Sequence, residues 1–320
     1  PNISKAILEN LKISILPIDA ANTVARFLEK IDKKITLNNQ INETLEAMAQ
    51  ALFKSWFIDF EPVKAKIEAK NAGQDADGIL LAAMSAISGK DSKALKTLQT
   101  TAPEEYAELK AIAEQFPDSL EESELGMIPK GWEVSTLGAQ YQITMGQSPK
   151  GDTYNENNAG TLFFQGRAEF GWRYPTPRLF TTAPKRIAKA GNVLMSVRAP
   201  VGDFNIALND CCIGRGLAAL QHKSGSPTFT FYQMNSLRDV LNRYNGEGTV
   251  FGSINQSNLK AIKSVFPTRN LIDKFISKAQ KLDDLIKNYS ITNLALTELR
   301  DTLLPKLLSG KIDVSNVEIM

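Results

Sequence analysis

The two ends of this 320-residue chain repeat each other, and no other feature of the sequence constrains the fold more strongly. Residues 3–52 align without a gap with residues 254–303, so that Asp32 falls on Asp283. Internal repeats of this kind build repeated structural units. We therefore expect both ends of the chain to contain the same succession of elements: a short helix, a strand and then one long helix.

Both copies of the repeat carry a stripe of mostly apolar residues with helical spacing. The stripe residues step alternately by four and by three positions, which keeps them on one helix face and is the period of a coiled coil. They are Val24, Leu28, Ile31, Ile35, Asn38, Asn42, Leu45, Ala49, Leu52 and Trp56, then Phe275, Ala279, Leu282, Ile286, Tyr289, Asn293, Leu296, Arg300, Leu303 and Leu307.

The shared spacing predicts that the two helices pair as an antiparallel coiled coil that acts as a spacer. The predicted helix-pairing residues are Ile31, Ile35, Asn42, Leu45, Leu52, Leu282, Ile286, Asn293, Leu296 and Leu303. The alternative is that they are two unrelated amphipathic helices, each packed on a core.

Polar residues and a proline interrupt the stripes at defined places. Asn42 and Asn293 occupy matched positions, and an asparagine in a helix seam costs stability but fixes register and partner. Pro305 lies late in the second stripe, and a proline inside a helix costs about 3 kcal/mol. We expect a kink or break at Pro305, then a short turn that ends at Gly310.

The sequence between the long helices changes character near its middle. Residues 63–122 are rich in alanine, acidic and helix-prone, which is typical of a helical insertion. Residues 123–267 contain short alternating runs such as "NVLMSV" and "FNIAL", which predict strands joined by turns. The run "GSINQSNLKAI" predicts a helix with Ser253 as its N-cap and Gln256 completing a capping box.

Composition narrows the class of protein. The hydrophobic fraction of 43% and the charged fraction of 22% are typical of soluble globular proteins. The chain has no apolar run long enough to span a bilayer, and its first residues do not form a signal peptide. Its two cysteines, Cys211 and Cys212, are adjacent and offer no disulfide framework, which favours a reducing compartment and a cytoplasmic protein without a membrane partner.

Charge is unevenly distributed, although the net charge is only +2. The acidic segment 61–122 is followed by the basic segment 123–266. A basic domain behind an acidic connector indicates a face that binds a polyanion. A solvated surface that carries an excess of lysine and arginine would give the same imbalance.

The motifs of catalytic and metal sites are missing. The single histidine, His222, excludes an HExxH site and is expected on the surface. The sequence has no nucleophile elbow, phosphate loop or Cys-x-x-Cys pair, and it lacks the tetrads of DNA amino-methyltransferases. The glycine cluster "NGEGTVFG" lacks the spacing of a nucleotide-binding loop and is interpreted as a turn. These absences favour a protein that is not an enzyme and holds no metal.

Three segments together carry a family resemblance. The stretch "ELGMIPKGWEVSTLG" (residues 124–138), the repeated helix ends and the run "AGNVLMSVRAPVG" resemble the specificity subunit of type I restriction–modification enzymes. In that family a target recognition domain alternates with a conserved long helix, twice over. The resemblance implies an α+β fold in which a mixed α/β target recognition domain is flanked by two long helices that pair as an antiparallel coiled-coil spacer.

The resemblance also implies a domain organisation. It predicts a remnant of a first target recognition domain (1–17), a first conserved spacer helix (18–60), an acidic helical connector (61–122), a DNA-binding target recognition domain (123–267), a second conserved spacer helix (268–312) and a tail (313–320).

The function that the resemblance implies is recognition of double-stranded DNA without catalysis. Such a subunit holds no cofactor itself, reads one half of a bipartite site and docks modification subunits, which carry S-adenosylmethionine, through its helices. Restriction subunits with motor and nuclease activity complete the full complex. Three alternatives stay open: a half-subunit that homodimerises to read a symmetric split site, a helical adaptor that binds protein, and a methyltransferase piece without its catalytic part.

The candidate DNA-binding residues lie in the polar loops of residues 123–267. Arginine can bind guanine with two hydrogen bonds and glutamine can bind adenine in the same way, whereas contacts to phosphate position the domain. The candidates are Gln147, Ser148, Lys150, Gln165, Arg167, Glu169, Arg173, Tyr174, Arg178, Arg198 and Arg215. Among them Gln165, Arg167, Arg173 and Tyr174 are preferred, because the intervening Phe163, Phe170 and Trp172 alternate as a set that faces a core.

Overall fold

The structure, a computed structural model, describes residues 16–198, 200–246, 252–309 and 311–312. The chain divides into two units, one formed by residues 1–46 with 284–320 and the other by residues 47–283. The predicted remnant domain at 1–17 lies outside the described residues except for positions 16 and 17. The tail at 313–320 and the turn residue Gly310 also lie outside them.

Helices make up much of the described chain. In chain order the α-helices are α1 (Ile18–Phe57), α2 (Glu61–Asn71), α3 (Ala76–Ser88), α4 (Ser92–Thr101), α5 (Pro103–Ala113), α6 (Leu137–Gln140), α7 (Pro227–Ser236), α8 (Arg238–Asn242), α9 (Gln256–Ala261) and α10 (Arg269–Leu308). The two long helices, α1 and α10, are each 40 residues long and correspond to the two copies of the repeat.

In the first unit α1 and α10 run antiparallel. Asn38 donates a hydrogen bond to Asn293 at 2.8 Å, and further along α1, Asn42 donates to the earlier residue Ser290 at 3.2 Å. Nearer the start of α1, an ion pair of 2.9 Å joins Asp32 to Arg300. Partner numbers that fall on α10 as they rise on α1 define an antiparallel pair, so the predicted fold class is confirmed.

The predicted stripes lie on the buried faces of α1 and α10. Every stripe position in both helices is buried or half-buried, as expected when a period of alternating fours and threes faces a partner. The pairing of asparagines differs from the matched positions in the repeat: Asn293 bonds to Asn38, not to Asn42. An antiparallel arrangement brings together positions whose numbers have a constant sum, whereas the repeat matches positions with a constant difference.

The second long helix continues through Pro305 to Leu308, so no break occurs at the proline. A proline inside a helix removes one backbone hydrogen bond and crowds the carbonyl one turn earlier. Because Pro305 lies in the last turn of α10, little helix follows it, and Ser309 still donates to its carbonyl oxygen at 3.1 Å. The helix then ends two residues before Gly310.

The acidic segment folds as four short helices, α2 to α5, within the second unit. Asp75 and Asp91 cap α3 and α4 by accepting hydrogen bonds from Gly78 and Ala94. A small core of Ala83, Met84, Leu95, Leu109 and Ala113 joins α3, α4 and α5. The helical part ends at Ala113, and the first strand already begins at Leu120, inside the predicted connector.

Strands dominate the remainder of the second unit. They are β1 (Leu120–Ser123), β2 (Gly126–Pro129), β3 (Glu133–Thr136), β4 (Tyr141–Met145), β5 (Tyr154–Asn155), β6 (Thr161–Phe164), β7 (Leu179–Thr181), β8 (Ile187–Ala188), β9 (Val193–Val197), β10 (Val201–Ile206), β11 (Cys211–Ile213), β12 (Leu217–His222) and β13 (Lys263–Phe266).

Two sheets form the body of this unit. One has the order β10-β9-β12-β4 with every pair antiparallel, and the other has the order β5-β7-β6-β11-β8 with β6 and β11 parallel. Strand β9 is buried at all five positions because the sheet is covered on both faces. Two further pairs, β1-β2 and β3-β13, complete the strands.

An aromatic cluster lies where the last turns of α1 and the first turns of α10 contribute to the second unit. Phe53 packs on Phe275 with ring centroids 5.4 Å apart, and Phe57 packs on both Phe275 and Phe229 at 5.3 and 5.9 Å. Their edge-to-face geometry is the favourable one for aromatic pairs. These contacts hold the start of α10 and the sheets in one core.

The helix before β13 begins two residues later than predicted. Its N-cap is Asn255, whose side chain accepts from the Asn258 backbone at 2.8 Å. The predicted cap, Ser253, is extended and forms a bridge with Arg198. A backbone already used for pairing with a neighbouring strand cannot also open the helix, and Asn is as good an N-cap as Ser.

Candidate nucleic-acid interface

Four strand ends converge in the second unit. Strands β4, β6, β9 and β11 end within a few residues of the turn Gly214–Gly216. Gly214 donates to the Phe164 carbonyl at 2.8 Å, Gln147 donates to Ile213 at 2.9 Å, and Val197 donates to Gly216 at 2.9 Å. Loops that follow four different strands therefore meet at one edge.

Glycines make this convergence possible. A Cβ atom on Gly146 would lie 2.1 Å from the carbonyl oxygen of Gly214, and one on Gly214 would lie 2.7 Å from that of Gln165. No side chain fits such a close backbone approach. The glycines in "MGQSPKG" and "IGRGL" are therefore needed to bring the loops of residues 147, 165 and 215 together.

Five of the predicted DNA-binding residues gather at this edge, which we call the strand-end cluster: Gln147, Ser148, Gln165, Arg198 and Arg215. Gln147, Gln165, Arg198 and Arg215 are exposed, whereas Ser148 is half-buried and accepts from the Arg215 backbone at 3.3 Å. The cluster combines amide and guanidinium groups, the two side-chain types that form paired hydrogen bonds with purine edges.

The loop that follows β6, residues 165–178, extends from the strand-end cluster along β10. We call it the reading loop. Arg167 is half-exposed in it, with Nε 2.7 Å from a carboxylate oxygen of Asp203. Arg178, at the far end, is exposed and lies 3.4 Å from both Glu156 and Glu169. Lys150 is exposed in the neighbouring loop.

Two of the predicted contacts are wrong because their side chains are enclosed. Arg173 is only 1% exposed and binds Asp283 at 2.7 Å and the Tyr232 hydroxyl at 2.9 Å. Glu169 is also buried, where it accepts from the Gly166 backbone at 3.3 Å. Neither side chain can reach a base edge in this fold. Tyr174 is half-buried against the core.

The alternation of aromatics in the reading loop holds only in part. Phe163 is fully buried and Phe170 is half-buried, but Trp172 is 48% exposed. The reason is that residues 170–175 form a tight turn closed by a bridge between Phe170 and Pro175, and the period of a strand does not continue through a turn. At the tip of the loop Arg173 is buried and Trp172 is exposed, which is the reverse of the expectation.

Two basic residues beside the cluster are absent from the sequence-based candidates. Lys185 and Arg186 are exposed, and no ion pair to either occurs within the described ranges. The carbonyl oxygen of Arg186 accepts from Ile213 at 2.9 Å, which places this residue at the same end of β11 as Arg215. The basic run "PKRIAK" is the signal that identifies them. Lys189 in the same run is paired with Asp210 at 2.7 Å.

The single histidine is buried, contrary to the surface position expected from the sequence. His222 is 4% exposed at the end of β12, and its Nδ1 accepts from the Ser224 backbone at 3.0 Å. Its ring contacts Phe229 and lies parallel to that of Phe266. Burial, aided by Arg269 and Lys223, lowers the pKa of His222 to about 4. The side chain is thus a neutral part of the core.

The two cysteines are buried in β11 and unpaired. Burial raises the pKa of Cys211 to about 12, so its thiol is not ionised near neutral pH. No group of three or more His, Cys, Asp or Glu side chains gathers as a metal site within the described ranges. None of the helices described combines the length and apolarity required of a bilayer-spanning segment.

Comparison with known proteins yields relatives of one kind. The chain is 30% identical over 327 aligned positions to the type I restriction enzyme HindI specificity subunit of Haemophilus influenzae, with 98% of this chain and 71% of the relative covered. It is 38% identical to the putative type I restriction enzyme MjaX specificity subunit of Methanocaldococcus jannaschii, over 61% of this chain but only 47% of that protein. No family model matches the sequence.

A solved structure shares the fold. The crystal structure of the type I restriction-modification system S subunit from M. genitalium matches with a TM-score of 0.52 at 15% identity, over 91% of this chain and 61% of that one. The chain therefore spans less than two thirds of the length of this protein and of the MjaX relative.

Proposed function

Because the chain belongs to the family of type I restriction enzyme specificity subunits, we propose that it is a non-catalytic subunit that reads DNA sequence for a modification and restriction complex. The observation that carries the proposal is the strand-end cluster. Four exposed amide and guanidinium side chains from four separate loops share one edge of the recognition domain, where a DNA groove can approach all of them together.

The chemistry of this edge suits duplex DNA. Gln147 and Gln165 can bind adenine, and Arg198 and Arg215 can bind guanine, each through two hydrogen bonds in the major groove. Lys150, Lys185 and Arg186 add positive charge beside them for contacts to phosphate, which fix the position of the domain without reading sequence. Arg167 and Arg178, which are each paired with a carboxylate, add two guanidinium groups along the reading loop.

We further propose that this one recognition domain reads one half of a bipartite site. A single domain offers a single set of base contacts, so a split target requires a second domain from elsewhere in the assembly. The paired helices then set the distance between half-sites, since 40 residues of helix measure about 60 Å, or between one and two turns of DNA.

The long helices also offer a surface for the modification subunits, which would bring S-adenosylmethionine. In the first unit Ile291 and Leu294 are each about 45% exposed on α10, away from the stripe that pairs with α1. A docked subunit would remove this apolar area from water, which favours association. Restriction subunits would join the complex through the modification subunits or alongside them.

The proposal is tested by selection from a random-sequence duplex library with the purified chain. We expect enrichment of one short motif and an affinity that falls steeply as salt rises, because phosphate contacts release counterions. Replacement Arg215→Ala should weaken binding to the enriched duplex by about 1–3 kcal/mol and relax the motif at one position. Arg26→Ala removes an equal charge from α1 and serves as the matched control.

Two results would contradict the proposal. If no motif is enriched and binding is indifferent to salt, the basic edge is not a DNA-reading surface. If the isolated chain transfers methyl groups to DNA from added S-adenosylmethionine, it is not a non-catalytic subunit.

A further inference from the structure

A buried ion pair connects the reading loop to the second long helix within the second unit. Arg173, at the tip of the loop, lies with Nη2 2.7 Å from Oδ1 of Asp283, which belongs to α10. Side-chain exposure is 1% for the arginine and 10% for the aspartate. The Tyr232 hydroxyl of α7 donates to the same carboxylate oxygen at 2.8 Å and accepts from Arg173 at 2.9 Å.

The arginine is held by more than its charge. Its guanidinium carbon lies 3.8 Å from the centre of the Phe231 ring, a close cation–π contact in a site closed to water. Burial is the largest cause of the raised pKa of Tyr232, so the hydroxyl keeps its proton and donates to Asp283. Three elements, the reading loop, α7 and α10, therefore meet at one polar centre.

Strand β10 contributes further contacts to the tip of the loop. The backbone of Gly171 exchanges two hydrogen bonds of 3.0 Å with the side chain of Asn205, and Ile206 donates to the carbonyl of Arg173 at 2.9 Å. The outward neighbour Trp172 is 48% exposed. The buried guanidinium of Arg173 is a contact that ties the tip of the loop to α10.

We propose that Arg173 is a positioning residue: its ion pair with Asp283 fixes the reading loop on α10 and so sets the placement of Gln165 and Arg167 against DNA. The inference rests on the proposed function and deepens it. DNA specificity then depends on a contact that touches no DNA, between the loop and the helix that carries the recognition domain.

A buried ion pair at this point fixes the orientation of the loop. An apolar contact of the same size would keep the overall stability of the chain, since replacing a buried pair by apolar residues is often neutral or stabilising. An apolar contact would not select one orientation of the loop, whereas a guanidinium that donates to two acceptors does. Contacts to bases require placement within about 0.5 Å, so orientation affects specificity before it affects stability.

The repeat supplies a control that separates the two roles. Asp32 is the repeat counterpart of Asp283 on α1, and it too pairs with an arginine, Arg300, at 2.9 Å. That pair lies within the first unit and is half-exposed, and it holds no loop. Asp32→Leu therefore removes the same side chain from the equivalent helix position without touching the reading loop.

The test replaces the whole polar centre by apolar residues, Arg173→Met with Tyr232→Phe and Asp283→Leu. Two quantities are measured on the full chain. One is the hydrogen exchange of amides in residues 166–177. The other is the ratio of affinities for the duplex that the wild type enriches most from a random library and for a scrambled duplex of the same composition.

We expect the triple variant to unfold at a denaturant concentration close to that of the wild type. Exchange in the loop should rise about tenfold or more, because local opening becomes easier. The affinity ratio should fall about 5-fold to 150-fold, the range for one lost base contact, while affinity for the scrambled duplex is unchanged. Asp32→Leu should change neither quantity.

The proposal is overturned if the triple variant folds and keeps both the loop protection and the affinity ratio of the wild type. Should the triple variant fail to fold, Asp283→Asn, which keeps the shape but loses the charge, decides in its place: wild-type exchange and ratio in that variant overturn the proposal. A wild-type chain that enriches no duplex refutes the proposed function, and loop exchange still decides the anchoring role of Arg173.

Discussion

Replacement of Asn293 by leucine tests how the two long helices find their register. Asn293 accepts from Asn38 Nδ2 at 2.8 Å and donates to Asn39 Oδ1 at 2.8 Å. Asn38 is fully buried, and its own Oδ1 has no partner within the described part of the chain. In Asn293→Leu the amide of Asn38 would be left without any hydrogen bond.

The expected loss of stability in Asn293→Leu follows from the amide of Asn38 that loses its partner. A buried polar group that loses its partner destabilises a protein by about 1–3 kcal/mol. Leucine is the better helix former, by at most about 0.7 kcal/mol. We therefore expect Asn293→Leu to lower the free energy of unfolding by about 1–2 kcal/mol. Asn38→Leu should cost less, because Asn293 is half-buried and keeps its bond to Asn39.

The double variant Asn38→Leu with Asn293→Leu should instead have a higher free energy of unfolding than the wild type. Two leucines facing each other bury apolar surface and leave no amide unsatisfied, so the helix pair should become more stable than the wild type. The resulting coupling energy between the two sites should be about 2 kcal/mol, within the range for residues in contact. The gain should bring a looser register, since a seam asparagine selects one alignment.

Urea denaturation followed by far-UV circular dichroism measures these four free energies. Asn288→Leu, an exposed position on the same helix, corrects for helix propensity. The reasoning is refuted if Asn293→Leu is as stable as Asn288→Leu, or if the double variant is less stable than both single variants. A double variant of Asn42 and Asn293 should not show this coupling, because the partner of Asn42 is Ser290.

Three further predictions concern other regions. Folding lowers the pKa of His222 from 6.5 to about 4. The free energy of unfolding is therefore highest above pH 6.5 and falls as the pH drops from 6.5 to about 4, because protons bind only the unfolded chain in that range. Denaturation at pH 7 and pH 5 should differ by about 1–2 kcal/mol from this group, and His222→Gln should abolish that part. Arg186→Ala should weaken binding to all duplexes about equally and reduce the salt dependence, as expected for a phosphate contact, and a change of motif would contradict it. Light scattering at micromolar concentration should give the monomer mass of 35.2 kDa, because helices joined in one chain pair at high effective concentration; a dimer mass would oppose this.

In the second unit, burial separates candidate residues that the sequence alone does not. Residue type and turn chemistry place Gln147, Gln165, Arg198 and Arg215 among the eleven candidates, and all four are exposed at one edge. Nothing local distinguished the two arginines among them from Arg173, which lies in the same loop as Gln165. Its burial depends on Asp283, more than a hundred positions away in the chain.

Periodicity along the chain by itself determined the long helices and their buried faces, because helix spacing is a property of neighbouring residues. Only the tertiary structure decided which asparagines meet, since antiparallel packing pairs Asn38 with Asn293 although the repeat matches Asn42 to it. It also decided that His222 is buried and that Lys185 and Arg186 border the strand-end cluster. These outcomes depend on contacts between distant segments, whose geometry is set by how helices and sheets pack and not by the residues beside them.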